Sequence, residues 1–144
     1  MPHADAAESR ASVNLGGSRV VGSAIKDWRI LQAIEYLDTS NFVSLSSIAK
    51  HLNLSLSRFR HLFSGEVGIS PVRYSRLQRL ARARELLRSS SLRVKEIAGV
   101  LGFNDVSHFV RNYKLRFRET PSQTRTRSQL RSSSSRPIAR LANK

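Results

Sequence analysis

The 144-residue chain has no cysteine, and the missing thiols exclude both a disulfide framework and any thiolate-bound metal. Its four histidines are scattered without metal-ligand spacing, so no metal site is expected. Acid is scarce as well. Only ten Asp and Glu stand against 25 Lys and Arg. No Ser-His-Asp arrangement or pair of carboxylates suggests covalent or acid–base chemistry, so no catalytic residue, no cofactor and no enzyme are expected. No apolar run approaches the roughly 18 residues of a membrane span. The opening "MPHADAAESR" lacks the basic-then-apolar order of a secretory signal. Together these absences lead to the expectation of a soluble, reduced, cytoplasmic protein with no membrane partner.

What is abundant is positive charge, +15 over the whole chain. Such a balance implies a polyanionic partner. The surplus is uneven: residues 121–144 carry six basic side chains and no acid, whereas residues 1–22 are balanced. With 40 % apolar residues, a chain of this length can build one ordinary core or two very small ones.

Composition shifts divide the chain. Residues 1–22, rich in Ala, Ser and Gly, read as a disordered leader, and residues 128–144, "SQLRSSSSRPIARLANK", as a disordered basic tail. Between them, residues 23–127 read as helices throughout. "AIKDWRILQAIEYLD" places Ile25, Trp28, Leu31, Ala33, Ile34 and Leu37 near a 3.6-residue period and stops before "TSN". A short helix follows Ser44 as N-cap and buries Leu45, Ile48 and Leu52; another begins near Ser55 and runs to about Ser64, ahead of Gly65 and Gly68. A long helix over about residues 71–88 opens on Ser70 and Pro71, with Val72, Leu77, Leu80, Ala81 and Leu87 as its apolar residues. A second short-helix pair then spans about residues 94–117, and no strand-like alternation is found.

Two segments nearly repeat. "IAKHLNLSLSRFRHLF" and "IAGVLGFNDVSHFVRNYK" each hold an alanine, then a turn residue four positions on, then an aromatic: Ala49, Asn53 and Phe59 in the first, Ala98, Gly102 and Phe109 in the second. Two helices meeting steeply across a short turn need those three parts: a small residue at the crossing, one tolerant of positive φ in the turn, and an apolar plug on the second helix. The copies are displaced by 49, 49 and 50 residues, so the second turn is one residue longer. Two such copies predict two helix-turn-helix units, the first over about residues 45–65.

The order from "LSSIAKHLNLSLSRFRHLF" through "GISPVRYSRLQRLARARELL" to "GFNDVSHFVRNYK" and "TPSQTR" resembles the DNA-binding domain of AraC/XylS-type transcription regulators. The resemblance covers about Ile25 to Arg125. It implies an all-α, homeodomain-like architecture of two helix-turn-helix subdomains on a long linker helix. Each unit would send its second helix, Ser55 to Ser64 or Asp105 to Phe117, into the major groove of double-stranded DNA. The length leaves no room for a small-molecule ligand domain, which resembles the short, sensorless build of MarA and SoxS. Two positions depart from the family pattern: Arg118 stands where glycine is usual and Thr124 where an aromatic is usual, which predicts loose packing of the last helix.

On the first reader, Phe59, Leu62 and Phe63 fall inward at helical spacing and leave Ser57, Arg60, His61 and Ser64 outward, with Arg58 on the flank. Arg60 is the strongest candidate for a base edge, because a guanidinium can bond both guanine acceptors. On the second, Phe109, Tyr113 and Phe117 are core, while Ser107, Arg111 and Lys114 form the exposed line. Asn104 lies at that helix start, Asp105 reads as its cap, and Val106 could meet a thymine methyl. Arg73, Arg76 and Arg79 are phosphate candidates; Arg79 falls on the family's arginine position, which implies a structural or backbone-anchoring role.

The function expected is sequence-specific regulation of transcription by a monomer on DNA, with footprints about one helical turn apart. RNA polymerase is the expected further partner, and the location cytoplasmic, on the nucleoid. The competing readings are a nonspecific basic nucleic-acid binder and a DNA-binding fragment of a longer, ligand-sensing regulator.

Overall fold

The computed structural model describes residues 13–15, 18–20, 25–39 and 44–134. The chain divides into two compact units, Met1–Ala81 and Arg82–Lys144. The helices run in the order α1 (Trp28–Thr39), α2 (Leu45–His51), α3 (Leu56–Val67), α4 (Pro71–Ser89), α5 (Val94–Val100), α6 (Val106–Phe117) and α7 (Pro121–Ser134). The domain is all-helical, as its periodicities predict.

Ahead of it, against the expectation of a leader without strands, lie β1 (Val13–Leu15) and β2 (Ser18–Val20). They pair antiparallel with Leu15 opposite Ser18. "VNLGGSRV" places Gly-Gly between two short runs, a hairpin pattern too brief to show as alternation. The rest of the leader, residues 1–12, 16–17 and 21–22, lies outside the described residues, as do residues 135–144 of the tail. Residues 128–134, expected to be disordered, instead complete α7.

In the first unit, Asp27 sets the start of α1: its carbonyl accepts from the Ile30 N–H at 3.0 Å and its carboxylate from the Arg29 N–H at 3.0 Å. The helix therefore begins three residues after Ile25. Its buried stripe is Ile30, Ala33 and Leu37, while Trp28 and Leu31, expected inside, are 66 % and 40 % exposed. Two apolar stripes interleave in this segment, and periodicity alone does not choose between them. Ser44 caps α2, accepting from the Ser47 N–H at 3.1 Å. α3 runs through Gly65 and stops at Gly68, whose φ of +84° ends it. A glycine weakens a helix interior by about 1 kcal/mol without ending it; the left-handed residue does.

α4 opens as expected, with Ser70 accepting from the Arg73 N–H at 3.3 Å and Pro71 in first position. Its buried residues are Pro71, Tyr74, Leu80, Ala83 and Leu87, whereas Val72 is 45 % exposed and Ala81 half-buried. Arginine at every third position from Arg73 to Arg82 interrupts any single apolar stripe. The core of the first unit gathers Ile30, Ala33, Leu37, Ile48, Ala49, Leu52, Phe59, Phe63, Val67 and Tyr74.

In the second unit Ile97, Ala98, Leu101, Phe109 and Tyr113 are buried, as are Pro121 and Thr124 of α7. The last helix is not loosely held. Thr124 is 2 % exposed and donates to Glu119 Oε1 at 2.9 Å, while the Tyr113 hydroxyl lies 2.8 Å from the threonine oxygen. With the threonine proton committed to the carboxylate, Tyr113 is the donor in the second bond. Burial pushes the Tyr113 phenol up. Arg127 and Arg84 reach the same carboxylate at 2.9 and 3.6 Å. Hydrogen bonds to a buried charge here do what an aromatic ring would do by packing.

Candidate nucleic-acid interface

Each recognition helix is aimed by the turn before it. Ala49 and Ala98 are buried, and their carbonyls accept from the Leu54 and Phe103 N–H groups at 2.8 and 2.9 Å, closing the two turns alike. Asn53 and Gly102 carry the turns at φ of 55° and 74°. Phe59 and Phe109, both fully buried, fix the far side. The phenyl ring of Phe109 lies 4.9 Å from Phe103 and 5.8 Å from Tyr113; that of Phe59 lies 5.7 Å from Phe63. A helix held this way on one face must present the opposite face to solvent.

α3 is capped by Ser55, which accepts from the Arg58 N–H at 3.1 Å. Ser57, Arg58, Arg60 and His61 are exposed along it and Ser64 is half-buried. α6 is capped by Asp105, whose carboxylate accepts from the Ser107 N–H at 2.8 Å. Around it Asn104, Ser107, Arg111 and Lys114 are exposed and Val106 is half-buried. Two exposed residues of α6 escape the sequence reading. His108 stands one turn before Arg111, a spacing that could have flagged it, and Leu115 is 65 % exposed with nothing in the periodicity to announce it.

Arg73 and Arg76 on α4 are exposed, whereas Arg79 is half-buried. Burial, with the like charge of Arg76 beside it, lowers the affinity of Arg79 for its proton. Among the described residues no group of His, Cys, Asp or Glu could hold a metal ion, and no helix is long and apolar enough to cross a membrane. What each recognition helix presents is therefore short hydroxyls and cations on a rigid support, the donor set that phosphates and base edges accept.

Two capped recognition helices, each behind its own tight turn, define a double helix-turn-helix DNA-binding domain. Residues 48–127 match the model of a helix-turn-helix domain family. The chain belongs to the AraC family of such domains. It is 33 % identical over 103 residues to the arabinose operon regulatory protein of Escherichia coli, covering 69 % of this chain and 35 % of that one. The chain thus spans about a third of that relative's length. A probable AraC family transcriptional regulator from Rhodopseudomonas palustris superposes with a TM-score of 0.66 at 25 % identity, over 71 % of this chain and 98 % of that one. The DNA-binding domain of AdpA, solved with a target DNA, shares the fold, with a TM-score of 0.66 at 20 % identity over 74 % of this chain and 98 % of that one.

Proposed function

We propose that this chain regulates transcription by binding an asymmetric duplex site as a monomer, α3 reading one half-site and α6 the other. The observation that carries this reading is the pair of exposed faces: α3 and α6 are each capped, buried on one side and lined on the other with exposed cations. In α3 the contacts come from Ser57, Arg58, Arg60, His61 and Ser64; in α6 from Asn104, Val106, Ser107, Arg111 and Lys114. Arg73 and Arg76 bind phosphate, and Arg79, half-buried, steadies α4. The protein acts in the cytoplasm on nucleoid DNA and engages RNA polymerase there.

A charge-driven, nonspecific binder would need neither the two closed turns nor the two caps. Selection of bound duplexes from a randomised pool, with the mass of the complex measured, separates the two. A single asymmetric motif with one chain per duplex is expected. An unenriched pool, or a palindrome holding two chains, contradicts the proposal.

A further inference from the structure

The two recognition helices have one register. Each is 12 residues long, and a shift of 50 residues carries N-cap Ser55 onto Asp105, buried Phe59 onto Phe109, Phe63 onto Tyr113, and C-cap Gly68 onto Arg118. Equal positions therefore face the same way on their own supports. Under that shift Ser57 meets Ser107, Arg58 meets His108, and His61 meets Arg111. All six are exposed. Among the described residues, the side chains of His61, His108 and Arg111 make no hydrogen bond or ion pair.

Resting on the proposal that α3 and α6 read DNA, we infer that both place one set of side chains, serine, arginine and histidine, at three matching positions, beside contacts such as Arg60 and Lys114 whose counterparts, Val110 and Ser64, are unlike them. The arginine and histidine have changed places, and their order decides which half-site each helix takes. His108, which no spacing argument singled out, is thereby a DNA-contacting residue. On α6 the arginine, Arg111, lies four residues after Ser107, on the line opposite the buried Phe109–Tyr113 stripe, and the histidine is on the flank. On α3 the histidine, His61, holds that central line and Arg58 the flank.

The chemistry of the two positions then differs in kind. A central guanidinium offers two donors in the fork that matches guanine O6 and N7. A central imidazole offers one ring nitrogen at a time to an acceptor and cannot make that paired contact. The flanking side chain is nearer the backbone, where Arg58 serves phosphate as a charge and His108 as a hydrogen-bond donor. A guanine is accordingly selected at the centre of the half-site under α6 and not under α3.

The test exchanges the pair within each helix, which keeps composition and charge. Base preferences of the full chain are measured on randomised duplexes for the natural protein, for Arg58→His with His61→Arg, and for His108→Arg with Arg111→His. The first exchange is expected to create a central guanine preference in the α3 half-site, roughly tenfold or more over other bases, leaving the α6 half-site unchanged. The second is expected to abolish that preference under α6 alone. His108→Ala, a truncation at an exposed position, should weaken binding several-fold on operator and random duplex alike, as loss of a phosphate contact does, and it carries the test where an exchanged chain fails to fold. A natural protein that selects a site, with folded exchanges that leave both preferences as they were or a silent His108→Ala, overturns this inference alone. A natural protein that selects no site overturns the DNA-reading proposal and this inference with it.

Discussion

The two helix-turn-helix units have the same backbone scheme with different interiors. Past the recognition helix, the first unit goes Gly68, Ile69, Ser70, Pro71 and, three residues on, Tyr74; the second goes Arg118, Glu119, Thr120, Pro121 and Thr124. In the first, the left-handed residue is a glycine, Ile69 packs on the core, and Tyr74 lies 5.6 Å from Phe63 ring to ring. In the second, an arginine takes φ of 60°, a carboxylate stands where the isoleucine was, and a threonine replaces the ring. The volume lost at Thr124 is answered by polar contacts to Glu119 and by Arg84 over the Phe117 ring, 4.7 Å from its centroid. A turn-and-cap scheme can thus be held by packing in one copy and by a buried charge in the other.

Breaking the shared part should have the largest effect. Ala49→Arg and Ala98→Arg each force a long cation into a crossing that is 1 % or 0 % exposed. A cost of about 3 kcal/mol or more is expected, from overpacking and from burying an unpaired charge. Amide exchange should report loss of protection concentrated in the altered unit; unchanged melting would remove the alanines from the crossings.

Next comes the part that differs. Glu119→Ala leaves Arg84 and Arg127 without their carboxylate and the Thr124 hydroxyl with a longer bond, to the Thr120 carbonyl at 3.4 Å, so about 2 kcal/mol of stability should be lost in chemical denaturation. The matching change in the first unit, Tyr74→Phe, removes one hydroxyl that donates to Asp38 at 2.9 Å and should cost about 1 kcal/mol. Equal losses would mean that the charge network contributes no more than a single hydrogen bond.

Opposite signs are expected at the C-caps. Gly68→Ala places a side chain at φ of +84° and should destabilise by about 1 kcal/mol, while Arg118→Gly relieves the same conformation and should stabilise by a similar amount. Thermal melting of the pair decides it, and two changes of one sign would contradict the shared geometry.

The smallest effect on stability belongs to the tail. Ending the chain after Ser134 removes Arg136, Arg140 and Lys144 but leaves α7 whole. Melting should hold, affinity should fall alike on operator and random duplex, and the salt dependence should become shallower. A loss confined to the operator would make the tail a sequence reader.

The turns were legible because their chemistry is local: Asn53 and Gly102 announce positive φ, and Ser44, Ser55 and Ser70 announce helix starts. What escaped depended on tertiary choice. Trp28 and Leu31 fit a helical stripe as well as Ile30 and Ala33 do, and only packing selects the latter. Thr124 read as a defect because its partners, Tyr113 and Glu119, lie 11 and 5 residues away and join it only in the fold. At the interface, Arg111 and Lys114 were visible from helical spacing, but the correspondence of His108 with Arg58 needed the shared caps that set both helices in one register.

Whether one chain reads two unlike half-sites with two separate helices is decided by a crossed binding experiment. Affinities of the natural protein, of His61→Ala and of Arg111→Ala are measured on the selected duplex and on duplexes with either half-site scrambled. His61→Ala should weaken binding only where the α3 half-site is intact, and Arg111→Ala only where the α6 half-site is intact, the latter by about 1–3 kcal/mol. Losses from either substitution that are the same whichever half-site is scrambled would contradict the account.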